Sequence, residues 1–309
     1  MAEKEIYEIV QLTSDGENAR PSWSPDGKRI AFVSNRAGSD DIWVMDSDGS
    51  NPLRVTEGLP RDTNPKYSPD GVQIAFIRVA PKSSTLCLTT VAGGTAVPVL
   101  GSCMAFSWSP RGDKIACNLL AGDTGNLYVV EVKDQEKQRL AGNTVWYDTP
   151  AWNPTGDKIA FSAKRAGEHT ISMVSLEQGD VQTLIESDRA CDSPAWSPHG
   201  DRIAFTSLRT GSWNLWSCDV VSREQEQLTK SLASDLEPLW SPDGKKIVFK
   251  SLRGGNWDII MMNADGTGQT PLTTHPADDL DPAWSPRGDK IAFVSLRTGR
   301  PEIFALLLK

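Results

Sequence analysis

The chain has little of what most catalytic and metal centres are built from: three His, four Tyr and five Cys among 309 residues. The cysteines, Cys87, Cys103, Cys117, Cys191 and Cys218, are odd in number and never form a CxxC pair. That usage speaks for reduced thiols rather than a disulfide framework. It places the chain in the cytoplasm, or in the periplasm or outside the cell if a leader peptide has been removed. The N-terminal MAEKEIYEIV lacks the basic and apolar regions of a signal peptide. No apolar run approaches the roughly 18 residues that span a bilayer, so no membrane insertion is expected. Positive charge is short as well: the net charge is −8 and the pI about 5.0, which argues against nucleic acid or an anionic membrane as partner. There is no GxSxG elbow, HExxH, P-loop or Rossmann fingerprint. Nor is there a sustained helical stripe of apolar residues.

What is present in excess is Trp and Pro, 11 and 20 residues. A repeat explains both. WSPDGKRIAF starts at Trp23, and its relatives start at Tyr67, Trp108, Trp152, Trp196, Trp240 and Trp284, at spacings of 44, 41, 44, 44, 44 and 44. Seven such units account for the whole chain, leaving no room for a second domain. Within a unit the apolar residues alternate. Seven residues after the motif aromatic stands Ile in every copy (Ile30, Ile74, Ile115, Ile159, Ile203, Ile247, Ile291). Nine after it stands Phe in six copies and Cys117 in the third. Period-two runs broken by Ser-Pro-Asp-Gly and Asp-Gly turns read as four short strands, A to D. Helix-free four-stranded units stack radially. The expected fold is therefore all-β: a seven-bladed β-propeller of four-stranded antiparallel blades, one domain over residues 1–309. The last unit lacks its strand D, and residues 1–14 resemble one, so the N-terminal strand is expected to close the seventh blade.

The motif WSPDGKRIAF followed by S-x-R-x-G-x-x-D-I-W, here Ser34 to Trp43 and again from Ser207 and Ser251, resembles the WD-like repeat of TolB-type propellers. That resemblance implies a propeller that binds protein partners, or one of the kind attached to prolyl-oligopeptidase-type hydrolases. The chain departs from TolB in lacking its N-terminal domain and secretion signal and in having seven blades rather than six. It departs from the hydrolases in lacking a catalytic domain.

The functional expectation is a monomeric, non-enzymatic scaffold presenting one loop face to a protein or peptide. The rival is a ligand- or cation-binding propeller, carbohydrate-active or hydrolase-associated. The partner face is sought where loops depart from the repeat. Trp213 and Trp257 occupy turns that do not need Trp. Met104, Phe106, Trp146 and Tyr147 belong to an apolar sector expected over blades two to four. An Arg thirteen residues after the motif aromatic, and an Asp five before the next one, pair as Arg36–Asp62, Arg209–Asp235 and Arg253–Asp279. These are expected to be latches between adjacent blades. Glu237 and Asp281 are candidate ligands for Ca²⁺ at a channel mouth. The three His fall at unrelated repeat positions.

Overall fold

The computed structural model describes residues 7–121, 124–144, 146–147, 150–165 and 168–308. It is a seven-bladed β-propeller of antiparallel sheets, without helices among the described residues. Blade one is made of Asn18–Trp23, Arg29–Ser34, Asp41–Asp46 and Leu53–Arg54. Blade five is made of Cys191–Trp196, Arg202–Ser207, Asn214–Asp219 and Gln225–Gln227. Blade six contains Asp235–Trp240, Lys246–Ser251, Asp258–Asn263 and Thr270–Pro271. Strand A of blade four comes in two pieces, Trp146–Tyr147 and Ala151–Trp152. The N-terminal strand, Tyr7–Gln11, pairs antiparallel with Glu302–Leu308, Tyr7 facing Leu308 and Gln11 facing Phe304. It supplies the fourth strand of blade seven and closes the ring; residues 1–6 lie outside the described residues.

Contacts divide the chain into two compact units, one of residues 1–100, 254–260 and 270–309, the other of residues 101–253 and 261–269. In each, the core lies between neighbouring blades. In the first unit Val33, Ile42 and Val55 of blade one pack with Ile74, Phe76 and Cys87 of blade two. Leu12, Ile30 and Phe32 pack with Ala292, Ile303 and Ala305 of blade seven. In the second unit Leu127 and Val129 meet Ile159 and Phe161, and Ile171, Met173 and Leu184 meet Ile203 and Phe205.

The motif residues explain how one blade holds the previous one. The indole N–H of Trp23, Trp152, Trp196 and Trp240 donates to the carbonyl just before the preceding motif aromatic: Ala283, Ser107, Ala151 and Ala195, at 3.0–3.1 Å. The C–D turn glycines of blades one and six, Gly49 and Gly266, have φ of +88° and +82°. A Cβ on them would lie 2.5 and 2.6 Å from the carbonyls of Leu12 and Leu228, so only Gly fits these approaches. In the A–B turns Ser24, Ser68 and Ser241 donate to Asp26, Asp70 and Asp243, whereas Ser109, Ser197 and Ser285 donate to Asp113, Asp201 and Asp289, two residues farther on. The acid caps the turn from either place. Arg-Gly-Asp at 111–113 and 287–289 is thus turn chemistry.

Candidate functional site

After strand B, Arg36, Arg209, Arg253 and Arg297 are paired within their own blade, not with the next one. Strand pairing sets Asp235 opposite Ser251, and Asp279 opposite Ser295, so the Arg two residues on lies on the same side of the sheet and reaches back. Arg253 Nη2 donates to Asp235 at 2.6 Å, and Arg297 Nη2 to both oxygens of Asp279 at 3.1 Å. Arg36 donates to Asn18 at 2.9 Å. Asp62 is taken by Arg78, through Nε at 2.8 Å and Nη2 at 2.9 Å. The expected inter-blade latches Arg36–Asp62, Arg209–Asp235 and Arg253–Asp279 are corrected accordingly. The bond between blades at this level is main-chain: the N–H groups of Asp62, Asp235, Asp279 and Asn18 donate to the carbonyls of Asp40, Trp213, Trp257 and Pro301 at 2.7–2.9 Å.

A second device escaped the sequence reading. Thr13, Thr56, Thr229 and Thr273, all buried, accept the N–H of Ile303, Ile42, Leu215 and Ile259 at 2.8–3.0 Å. Thr13, Thr229 and Thr273 also donate to Glu302, Asn214 and Asp258. The recurrent apolar-Thr ending of strand D was the available signal. At the closure Glu302, fully buried, also accepts from Asn18 at 2.7 Å and Arg300 at 2.7 Å.

Phe106 is fully buried and cannot be a contact residue. It faces Cys117 directly across the strand pair. Cys117 stands where six other blades have a buried Phe, so blade three keeps its ring by moving it to the neighbouring strand. Met104 is 55% exposed. Trp146 and Tyr147 pair with Lys164 and Ala163 through the main chain; their side chains lie outside the described residues. Trp213 and Trp257 are half-buried. Glu237 and Asp281 are bulge residues with φ of +57° and +49°, and Glu237 pairs with Lys250 at 2.7 Å. Among the described residues no group of three or more His, Cys, Asp or Glu could hold a metal ion. The expected Ca²⁺ ligands are therefore not brought into a site.

One Arg of the series is left over. In blade five the position of Asp235 and Asp279 is held by Cys191, opposite Ser207 in register. Arg209 Nε donates to Ser207 at 3.1 Å and Nη1 to Gln225 at 2.5 Å, while Nη2, buried, has no hydrogen-bond partner among the described residues. The guanidinium lies 4.4 Å from the Trp216 ring centre and 5.3 Å from that of Phe205. Burial, ahead of any charge, lowers its pKa from the usual value. Arg209 lines a cleft of about 360 Å³ with Glu168, Glu186, Ser187 and Asp188. The strands of blade four bring these together: His169 pairs in register with Ser187, and burial, then Lys164, lower the His169 pKa, favouring neutral imidazole. The cleft combines one uncompensated cation with several hydroxyl-accepting carboxylates.

The family model of the TolB beta propeller domain matches residues 8–79, 44–190 and 185–268. The chain belongs to that family. Solved structures with the fold of this TolB-type propeller include an oligogalacturonate lyase from Vibrio parahaemolyticus, 15% identical with a TM-score of 0.78 over 98% of this chain and 96% of that one. An oligogalacturonate lyase in complex with manganese is 16% identical with a TM-score of 0.80, over 99% and 94%. A putative TolB from Agrobacterium tumefaciens is 21% identical with a TM-score of 0.57, over 98% of each. At these identities the likeness concerns the fold. It nonetheless corrects the expectation of a chain that is not an enzyme, because solved propellers of this fold, matched over nearly their full length, include lyases.

Proposed function

We propose that this TolB-type propeller is carbohydrate-active and binds an acidic oligosaccharide at the cleft between blades four and five. The observation that carries the reading is Arg209, whose charge no acid in its own blade neutralises and whose Nη2 lacks a partner among the described residues. A uronate sugar matches the cleft: its carboxylate would take the guanidinium, and its hydroxyls would donate to Glu168, Glu186 and Asp188. The volume suits one or two sugar rings. The activity of the two lyase neighbours supports the same ligand class. Manganese in one of them is not carried over, because no group of three or more His, Cys, Asp or Glu among the described residues could hold it. Kinship with TolB favours the periplasmic or secreted alternative over the cytoplasm.

Calorimetric titration with trigalacturonate against neutral maltotriose tests the proposal. Saturable binding of the acidic sugar alone, weakened by salt and reduced at least about tenfold in Arg209→Gln, is expected. Equal binding of both sugars, no binding, or an unaffected Arg209→Gln overturns it. Incubation with the same sugar, followed by mass spectrometry for unsaturated ends, reads cleavage separately.

A further inference from the structure

We infer that Cys191 sets the affinity of this cleft by withholding the internal acid that would otherwise consume the charge of Arg209. The inference rests on the proposed acidic-sugar site and names the residue that makes it available.

The comparison is internal to the chain. Where the position is Asp, the Arg is spent: Asp235 takes Arg253 at 2.6 Å and Ser251 Oγ at 2.6 Å, and Asp279 takes Arg297 through both oxygens. Where it is Asn18, Arg36 still has an acceptor, and Asn18 passes on to Glu302 at 2.7 Å. Cys191 offers neither charge nor a strong acceptor. It is 2% exposed, and burial pushes its thiol up to about 12, so it stays uncharged at physiological pH. Loss of the acid alone would leave the guanidinium free to swing away. Blade five instead holds it by Ser207 and by two rings, Phe205 and Trp216. Aromatic faces attract and orient a cation without cancelling its net charge. The result is an Arg fixed in place with its charge still on offer. The carboxylates around the cleft, Glu168, Glu186 and Asp188, are exposed and screened by solvent. They form no ion pair with Arg209 among the described residues.

The test is one substitution with opposite effects on two readouts. Cys191→Asp places a carboxylate opposite Ser207 and beside the orphan Nη2, as in blade six. Tm should rise by about 2 °C, while affinity for trigalacturonate falls at least about tenfold. Cys191→Ala should leave the affinity within about threefold, because it adds no charge. Arg209→Gln separates the two claims. If it binds like wild type, the site itself is wrong. If it loses binding while Cys191→Asp binds like wild type, the site stands and the role of Cys191 is wrong. Should Cys191→Asp not fold, Ser207→Asp delivers the same charge from the facing strand, and undiminished binding by that variant overturns the inference.

Discussion

Blades five and six stand next to each other and share the same repeat, yet they keep their Arg in opposite ways. In blade six Arg253 is closed by Asp235, with Phe249 beneath it at 5.6 Å. In blade five Arg209 has no acid and lies over Trp216 as well as Phe205. Blade one shows the same exchange: Arg36, facing an amide, lies over Phe32 and Trp43 at 5.3 and 4.9 Å. In blades one and five Trp at this strand C position accompanies the missing acid. Blade seven has both, Arg297 meeting Asp279 and lying over Phe293 and Phe304 at 5.5 and 4.7 Å, so rings and acid are not alternatives; what sets blade five apart is that only the rings are present.

The largest effect that can break this comparison comes from deleting each Arg. Arg253→Ala leaves Asp235, fully buried, without its counter-ion and should cost about 3–5 kcal/mol. Arg209→Ala strands no acid and should cost about 1 kcal/mol, chiefly the lost cation–π contacts. Urea unfolding of the two variants measures both; equal losses would mean that Arg209 has an internal counter-ion.

A smaller effect sharpens it. Trp216→Ile installs the residue that blade six carries as Ile260. It should cost about 1 kcal/mol in blade five, and the loss should shrink when Cys191→Asp is present. A double-mutant cycle by urea unfolding reads that coupling, and strict additivity would break the link between ring and acid.

The smallest effect concerns strand C, where blade five has Asn214 and blade six Asp258. Burial raises the Asp258 carboxyl above its ordinary range. The native state therefore favours the protonated form. What that contributes to stability is present in acid and lost as pH rises through the raised value. Asp258→Asn should raise Tm at pH 7 by about 1 °C and lose that advantage below the usual carboxylate range. Thr273 can donate to the new amide as Thr229 does to Asn214. Differential scanning calorimetry across pH 3–7 (a span of about four units) follows the sign.

The spacing of the motif aromatics and the alternation after each of them were enough to count the blades and to pair Tyr7–Gln11 with the last strand. The Arg and Asp positions were legible as a set, but their partners were not. Residue types that vary together do not say which strands face each other, and only the pairing of Asp235 with Ser251 puts Arg253 within reach. Phe106 looked like a surface departure because a lost Pro is visible in sequence and a buried ring is not. Arg209 was visible as one more member of a series. Its difference lay in Cys191, which only the strand pairing sets opposite Ser207 and so beside Arg209.

Among the described residues, seven fully buried Phe side chains serve seven blades, although one of them, Phe106, stands on a different strand. Blade three has kept a volume while giving up a position. Its replacement of Pro by Phe also lets the ladder continue through Phe106 and Ala105, moving the bulge toward Met104. Natural drift in such a ring can therefore proceed by barter between facing strands, each exchange neutral as a pair and harmful singly. An engineer grafting blades between propellers would have to transplant Phe106 and Cys117 together. Returning only Cys117 to Phe would press two rings into room for one, and returning only Phe106 to Pro would leave a hole.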